Sequence, residues 1–255
     1  MRVRVLGCSG GIGQGLRTTS ILIDDDILID AGTGVGDLCL DALSRIRHVF
    51  ITHSHLDHIV SLPMLIDYNF KRLLTDPLRV YANRQTIDAL RKHIFNDIIW
   101  PDFTGLPNVE GPVLEFVEIQ PGDVIDIGAR SLRAVDVAHA VPTLAYCVAN
   151  GAKVFAFSAD TTTNKTLWPV LNSYERLDVL VVEVSFPDRH AELARDSGHY
   201  TPATFAADLK KLDHQPEIWI TAMKPGEEES IFAEVVEALP GTEISYLQTG
   251  TVFEL

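Results

Sequence analysis

The sequence contains few cysteines, no long hydrophobic run and no leader pattern. Its 255 residues include three cysteines, Cys8, Cys39 and Cys147, which form neither a disulfide framework nor a close metal-binding spacing. We therefore expect thiols in a reducing compartment. No stretch of eighteen apolar residues occurs, which excludes a membrane-spanning helix, and residues 1–7 enter a strand pattern directly, without a signal peptide. These absences predict a cytoplasmic protein that does not contact a membrane.

Basic residues are also scarce. The chain has 21 lysines and arginines against 35 aspartates and glutamates, which gives a formal net charge of −14. Because binding to a nucleic-acid backbone or to an anionic membrane surface requires clustered positive charge, this balance argues against both partners. It leaves room for a small anionic substrate that is held by a local positive centre.

Short apolar runs alternate with turns and helical stretches along the chain. Strands are predicted at residues 2–6, 19–23, 27–29, 48–52, 114–119, 123–127, 131–138, 144–149, 153–157, 179–184, 217–221, 244–247 and 251–254. Helices are predicted from about residue 56, and at 84–99, 202–212 and 226–239. Strands with helices between and after them are typical of a layered α/β architecture. No linker and no internal repeat interrupts the pattern, so we predict one domain over residues 1–255.

Four side chains that can bind a metal fall within six residues. After an apolar strand, residues 51–59 read ITHSHLDHI. In an extended chain His53 and His55 point the same way, and Asp57 and His58 follow as the chain turns toward a helix. Imidazole and carboxylate donors without thiolate suit zinc, iron or manganese. Surface or capping roles are the alternative, but a chance match to H-x-H-x-D-H after a strand is rare.

Two further candidate ligands each follow an apolar run. His139 comes after the predicted strand 131–138, and Asp160 comes shortly after the strand 153–157. Functional groups gather at the carboxyl ends of strands, so both positions fit a metal site. For either residue alone a cap or turn role would be the better explanation. Together with the histidine cluster, metal ligation is the favoured interpretation.

These patterns resemble the metallo-β-lactamase superfamily over nearly the whole chain. The H-x-H-x-D-H segment is similar to the signature motif of that family, His139 to its third-motif histidine, and Asp160 to its metal-bridging aspartate. Residues 6–11, LGCSGG, and residues 28–33, LIDAGT, also resemble its first strands. The resemblance implies an α/β fold of the αββα sandwich type with a dinuclear hydrolytic site.

The resemblance also implies a ligand set and a cofactor. One divalent metal ion is implied to bind His53, His55 and His139, and the other Asp57, His58 and the bridging Asp160. We expect two zinc ions, with manganese and iron as the alternatives.

A narrower resemblance concerns the class II cyclic-nucleotide phosphodiesterases. Residues 53–62, HSHLDHIVSL, are similar to the signature of that subgroup, and residues 93–103, HIFNDIIWPDF, resemble an insertion typical of it. This resemblance implies hydrolysis of 3′,5′-cyclic nucleotides, cyclic AMP or cyclic GMP, to 5′-monophosphates, with other small phosphodiesters as further substrates. Trp100 is implied to be a wall on which the purine base stacks, and ordinary core packing is the alternative for it.

One position departs from the family pattern. The superfamily places a metal-binding histidine at the end of its last strand, in a context like Thr-His-x-Lys-Pro, whereas residues 220–225 read ITAMKP. Ala222 cannot bind a metal, so we expect a weakened second site, either through a substitution that silences an enzyme or in a natural member of the family. His214 precedes the strand and is badly placed as a substitute. Lys224 is a candidate contact for a substrate phosphate oxygen, with a solvated lysine as the alternative.

The resemblance suggests roles for two catalytic residues. Residues 197–202, SGHYTP, are similar to a Gly-His-x-Thr-like loop of phosphodiesterases in the superfamily. His199 is therefore expected to protonate the leaving ribose oxygen, and a histidine near a helix start is the alternative. Asp57 is expected to bind a metal and to orient the attacking hydroxide.

Three other functions stay open. A transfer-RNA 3′-processing endonuclease shares the metal motifs, but Asp160 follows His139 by only 21 positions, which leaves no room for the long arm that many of those nucleases insert there. A β-lactamase or thioester hydrolase does not explain the class II signature. A non-catalytic protein that binds a nucleotide or a partner is supported by Ala222. A homodimer is an open alternative for the assembly.

Overall fold

The computed structural model of the protein describes residues 1–151 and 153–255, and in it the chain forms two compact units. The first unit comprises Met1–Gly7, Arg17–Gln120 and Thr249–Glu254, and the second comprises Cys8–Leu16, Pro121–Gln248 and Leu255. Each unit contains one seven-stranded mixed sheet with helices. The grouping of residues 1–255 into one domain stays a prediction. None of the helices within the described residues is both long and apolar enough to cross a membrane.

The first unit is built around a sheet with strand order β14-β1-β2-β3-β4-β5-β6. Its strands are β1 (Arg2–Gly7), β2 (Ser20–Ile23), β3 (Ile27–Ile29), β4 (His48–Phe50), β5 (Leu78–Ala82), β6 (Leu114–Glu118) and β14 (Val252–Glu254). Its helices are α1 (Leu40–Arg45), α2 (Leu56–Ile59), α3 (Leu62–Leu73) and α4 (Arg84–His93), and a 3₁₀ turn spans Thr33–Asp37. Strands β3 to β6 are parallel, so β3, β4 and β5 end at one edge of the sheet, here called the carboxyl edge.

The second unit has the strand order β13-β12-β11-β10-β9-β8-β7. Its strands are β7 (Val124–Ile127), β8 (Arg130–Val137), β9 (Thr143–Asn150), β10 (Lys153–Phe157), β11 (Val179–Glu183), β12 (Glu217–Thr221) and β13 (Ile244–Tyr246). Its helices are α5 (Leu167–Asn172), α6 (Ala191–Ser197), α7 (Pro202–Leu209) and α8 (Glu228–Ala238), and a 3₁₀ turn spans Asp188–His190. Strands β10 to β13 are parallel, and β8 runs in the same direction, so these strands also share a carboxyl edge.

Each unit has its own apolar cluster between sheet and helices. In the first unit, Val80 of β5 is fully buried in a cluster with Ile66 of α3 and Leu90 of α4. In the second unit, Leu180 of β11 is buried with Phe205 of α7. Complete burial of such a side chain contributes about 1.5–3 kcal/mol to stability. These clusters fix the sheets, and the sheets fix the residues that follow their carboxyl edges.

The predicted strands are confirmed to within two residues at each end, because apolar runs bounded by turns specify them well. The helix predicted at 84–99 is shorter than expected and ends at His93. Beyond it, Asp97 takes a left-handed φ of 61° and the chain folds into a loop. Strand β5 and the short helices α1, α5 and α6 were not predicted.

Candidate metal centre

The first cluster, defined as His53, His55, Asp57 and His58, follows the end of β4 in the first unit. His53 and His58 are buried, with ring centroids 4.2 Å apart. The Nε2 atom of His53 lies 3.0 Å from Nδ1 of His55. Two nitrogens that bind the same tetrahedral zinc ion at about 2.1 Å are about 3.4 Å apart, so this pair needs little movement to share one metal.

The buried carboxylate of Asp30 holds the histidines of this cluster in position through hydrogen bonds. Asp30 directly follows β3, is fully buried, and its Oδ2 accepts a hydrogen bond of 2.7 Å from Nδ1 of His58. Its Oδ1 accepts the backbone N–H of Thr52 at 2.8 Å, and the Thr52 hydroxyl also donates to Asp30. Since that hydroxyl gives its proton to Asp30, it accepts the proton of Nδ1 of His53 at 2.9 Å. In His53 and His58 the proton is therefore on Nδ1 and the lone pair is on Nε2, the nitrogen on the side away from Asp30. A histidine that binds a metal through Nε2 needs this lone pair.

Burial dominates the electrostatics of Asp30. It raises the pKa of this carboxyl above its ordinary value, although His58 and Thr52 act in the opposite direction. Beside this pair, the Asp57 carboxylate lies 3.7 Å from Nε2 of His58 and is partly exposed. Asp57 and His58 are thus neighbours with a nitrogen and an oxygen donor on the same side.

A close backbone approach holds the turn that carries Asp57. The Thr18 hydroxyl donates to the Asp57 carbonyl at 2.7 Å. A Cβ atom at Gly32 would lie within 2.6 Å of three oxygens, those of the Thr18 hydroxyl and the Thr19 and Asp57 carbonyls. Only glycine fits at this position.

The second cluster, defined as His139, Asp160 and His199, lies in the second unit. Its members follow β8, follow β10 and precede α7, and their ligand atoms all lie within 4.8 Å of one another. Nδ1 of His139 donates to the Gly198 carbonyl at 2.8 Å, so Nε2 carries the lone pair. Asp160 is buried. A cluster of two imidazoles and one carboxylate is a donor set that zinc, iron and manganese all accept.

Glu183 is the buried carboxylate of the second cluster. It ends β11, is fully buried, and its Oε1 lies 2.8 Å from Nδ1 of His199. The same oxygen accepts the backbone N–H of Thr161 at 3.0 Å, and Oε2 accepts the Ser185 hydroxyl at 3.0 Å. Burial alone would lower the pKa of His199, but the Glu183 and Asp160 carboxylates outweigh it and raise that pKa above its ordinary value.

Ala222 follows β12 at the carboxyl edge that also carries Glu183. It is buried and left-handed, with a φ of 59°. Its N–H donates to the Cys8 carbonyl at 2.9 Å, and a Cβ atom at Gly10 would collide with the Ala222 carbonyl. The backbone is thus held tightly where the side chain offers no donor. His214 precedes β12 at the other end of the strand, so it does not replace the missing ligand.

Lys224 and Trp100 have different surroundings from each other. The Lys224 ammonium donates to the Gly10 carbonyl at 3.0 Å and lies 5.5 Å from the centre of the Phe186 ring, so it is held rather than freely solvated. Trp100 is half-buried against the apolar cluster of the first unit. Helix α4 begins at the carboxyl edge, is about 15 Å long and ends seven residues before Trp100. The role of Trp100 as a wall for the base stays a prediction.

Two residues of the site were missed in the sequence. Asp30 and Glu183 each end or follow a fully apolar run, reading LID and VLVVE. An acid at the end of a buried strand is costly unless it is hydrogen-bonded, and this is the signal that identifies such residues.

Comparison with known proteins gives a consistent family. Residues 25–220 match the family model described as the beta-lactamase superfamily domain. A probable 3′,5′-cyclic-nucleotide phosphodiesterase of Yersinia pestis is 26% identical, over 83% of this chain and 72% of that protein. A ribonuclease Z of Bradyrhizobium sp. (strain ORS 278) is 27% identical, over 86% of this chain and 87% of that protein.

The solved structures show the fold. Unliganded yeast PDE1 matches with a TM-score of 0.81 at 19% identity, over 99% of both chains. The metallo-beta-lactamase fold protein YhfI of Bacillus subtilis matches with a TM-score of 0.77 at 19% identity, over 99% of this chain and 98% of that one. The predicted fold class, the α/β sandwich of the metallo-β-lactamases, is confirmed.

Proposed function

The chain belongs to the beta-lactamase superfamily, and from this premise we propose that it is a metal-dependent phosphodiesterase that opens 3′,5′-cyclic nucleotides to 5′-monophosphates. Superfamily membership supports a metal-dependent hydrolase. The observation that carries the finer proposal is His199, whose Nδ1 lies 2.8 Å from the Glu183 carboxylate, within reach of the metal-ligand candidates His139 and Asp160. A leaving alkoxide of a phosphodiester needs such a proton donor.

The two clusters are proposed to serve one dinuclear centre. The proposed ligands of one divalent ion are His53, His55 and His139, and those of the other are Asp57, His58 and the bridging Asp160. The imidazole and carboxylate donors fit zinc best, with manganese and iron as alternatives. The Nδ1 hydrogen bonds of His53, His58 and His139 support this assignment, because each leaves Nε2 as the nitrogen with the lone pair.

When bound, the two ions supply Lewis acidity to the phosphate oxygens and acidify the water that attacks phosphorus. Asp57 is proposed to orient that water. The bond between phosphorus and the 3′ oxygen breaks, and the leaving oxygen takes the proton of Nε2 of His199. Glu183 stabilises the imidazolium before this transfer and holds the ring in position. Lys224 is proposed to meet a phosphate oxygen as a fixed positive charge.

Ala222 is proposed to weaken the second metal position. The remaining protein ligands, Asp57, His58 and Asp160, leave one position for water. The protein as it stands is therefore expected to turn over slowly. We place its action in the cytoplasm on a small phosphodiester, without nucleic acid or membrane as partner, and with a homodimer as the alternative assembly.

A ribonuclease of the tRNA 3′-processing type is the second candidate. It is supported by the Bradyrhizobium ribonuclease Z, which matches this chain at nearly the same identity as the phosphodiesterase and over more of its own length. The net charge of −14 opposes it, because a polyanionic substrate needs clustered cations. A non-catalytic, nucleotide-binding protein is the third candidate.

One experiment separates the three. The protein, loaded in turn with zinc, manganese and iron, is assayed against cyclic AMP, cyclic GMP, bis(p-nitrophenyl) phosphate and a precursor tRNA. We expect metal-dependent release of 5′-monophosphates from a cyclic nucleotide and intact tRNA. Cleavage of the tRNA without cyclic-nucleotide turnover would support the ribonuclease instead, and tight nucleotide binding without any turnover the non-catalytic protein.

A matched pair of histidine variants ties the turnover to the site. His139→Ala removes a proposed ligand, whereas His214→Ala changes a histidine at the opposite end of β12. We expect His139→Ala to abolish turnover and His214→Ala to retain it.

A further inference from the structure

A buried carboxylate outside both clusters accepts four hydrogen bonds. Asp208 lies on α7 and is 3% exposed. Its Oδ2 accepts from the Tyr200 hydroxyl at 2.7 Å, the backbone N–H of Asn164 at 3.1 Å and the Trp168 indole N–H at 3.2 Å. Its Oδ1 accepts from the Lys211 ammonium at 2.6 Å. We call these five residues the Asp208 network.

Two of the donors belong to loops that carry members of the second cluster. Asn164 is four residues after Asp160, and Tyr200 directly follows His199. The Asn164 side-chain amide also donates to the Tyr200 hydroxyl at 3.4 Å and to the Thr161 hydroxyl at 3.3 Å. Asp208 thus ties the loop after β10 to the loop before α7.

The donors of the Asp208 network favour the ionised form of the Asp208 carboxyl. Burial alone would raise the pKa of Asp208, but the hydrogen bonds from Lys211, Tyr200, Asn164 and Trp168 outweigh burial and hold that pKa below its ordinary value. Every donor is directed at one of two oxygen atoms, so a shift of either loop breaks at least one charged hydrogen bond. Such a bond is about twice as strong as a neutral one. The arrangement resists small displacements of both loops.

We propose that Asp208 is a positioning residue that fixes the distance between the Asp160 carboxylate and the His199 imidazole. The proposal rests on the proposed function, in which Asp160 bridges the metals and His199 donates the proton. A displacement of about 1 Å between reacting groups lowers the rate on the order of 10²-fold. Glu183 also joins the two loops next to the cluster, because its Oε1 accepts the backbone N–H of Thr161 at 3.0 Å and that of Tyr200 at 3.4 Å. The Asp208 network is a further support of this distance.

The test compares two Tyr→Phe variants in the same unit. Tyr200→Phe removes the hydroxyl that joins the His199 loop to Asp208. Tyr174→Phe is the matched control, because its hydroxyl contacts Cys147 and its ring packs on the same apolar cluster of the second unit. We expect similar small losses of thermal stability in both. We expect only Tyr200→Phe to lower kcat, on the order of 10²-fold, with KM nearly unchanged.

A second variant covers the case in which Tyr200→Phe does not fold. Lys211→Met keeps the aliphatic stem of a half-exposed side chain and removes one charged hydrogen bond from Asp208. We expect a smaller fall in kcat, about tenfold, in the same direction.

Zinc affinity, measured by chelator competition without substrate, is the readout that does not depend on turnover. We expect Tyr200→Phe to weaken zinc binding about tenfold and Tyr174→Phe to leave it unchanged. If the wild-type protein turns over no phosphodiester, the proposed function fails, while this zinc difference still supports the Asp208 network. Equal zinc affinities and equal kcat values for the two variants would overturn the role of Asp208.

Discussion

The first and the second cluster lie in different units of the molecule, and each contains a buried carboxylate beside a histidine. Asp30 and Glu183 stand at the carboxyl edges of their sheets, and both are fully buried. Each lies less than 3 Å from Nδ1 of one histidine, at 2.7 Å for His58 and 2.8 Å for His199. Each also accepts a backbone N–H from a neighbouring strand-end loop.

The electrostatic balance of the two pairs differs. At Asp30, burial outweighs the histidine and raises the pKa of the carboxyl, which limits the charge separation in the pair. At His199, the carboxylates outweigh burial and raise the pKa of the imidazole. A metal ligand must be neutral at Nε2, whereas a proton donor must carry the proton there. This difference supports the proposed roles, ligation for His58 and proton donation for His199.

Replacing the two histidines tests this assignment most strongly. We expect His199→Ala to lower kcat by about 10²–10⁴-fold, because a general acid contributes that much, and to keep the zinc content of the protein. His58→Ala is expected to lose zinc as well as activity. Turnover and elemental analysis of both variants, refolded with equal zinc, give the answer. Loss of zinc from His199→Ala would make it a ligand and remove the difference between the clusters.

Replacing Asp30 and Glu183 by the corresponding amides is expected to distinguish the two carboxylate–histidine pairs by a smaller effect. Asp30→Asn keeps the size of the side chain, and asparagine tolerates the left-handed φ of 57° at this position. We expect it to weaken zinc binding about 10–100-fold, as loss of a partner that orients a ligand does. Glu183→Gln is expected to keep zinc affinity and to lower kcat. Chelator competition and initial rates measure both, and equal zinc losses in the two variants would contradict the comparison.

Ala222→His adds an imidazole donor after β12, in the second unit only. The left-handed backbone at Ala222 is already formed and held by Cys8, so the new side chain needs no change of fold. We expect tighter binding of the second metal by about tenfold, or ~1.4 kcal/mol, together with faster turnover. Metal titration and turnover at matched metal concentration measure the two. If neither changes, the alignment of residues 220–225 with the family motif is wrong.

Asp178 differs from Asp30 because its pKa is lowered rather than raised, and this difference affects the stability of the fold. Burial would raise its pKa, but Lys153 at 2.9 Å, the Val154 N–H at 3.0 Å and Arg176 lower it below the ordinary value of 3.8. A depressed carboxyl pKa stabilises the fold above pH 3.8, and this contribution is lost as the pH falls through the folded-state pKa.

We therefore expect Asp178→Asn to reduce the free energy of unfolding by about 1 kcal/mol at pH 7 and by less below pH 3.8. Urea unfolding as a function of pH measures it, with Glu237→Gln on the exposed side of α8 as the control. A gap that stays constant with pH would mean that the charge of Asp178 contributes nothing.

The two clusters also differ in how far the sequence predicts them. The first cluster lies within six residues after one strand, so local spacing alone identifies its donors. The second is gathered from three segments. Placement after apolar strands indicated His139 and Asp160, whereas only the resemblance to a known family indicated His199. Asp30 and Glu183 were missed because a single acid after an apolar run looks like a cap or a turn in the sequence.

The prediction of the fold was likewise right for some elements and incomplete for others. Apolar runs specify the strands, and their register follows from burial. Strand β5 was missed because Arg79 interrupts its apolar residues, although its other side chains are buried. Residues 84–99 were predicted as one helical stretch, whereas the helix ends at His93.

The pairing of β14 with β1 has a consequence for biosynthesis. Arg2 pairs with Glu254, so the outer strand of the first sheet leaves the ribosome long after β1. At about 5–20 residues per second, β1 waits on the order of 10–50 s with one row of backbone groups unpaired. During that time its solvent-facing positions are occupied by Arg2 and Arg4, charges of the kind that keep exposed strands from joining those of neighbouring nascent chains. When β14 arrives, Glu254 neutralises Arg2 at 3.3 Å and closes the edge.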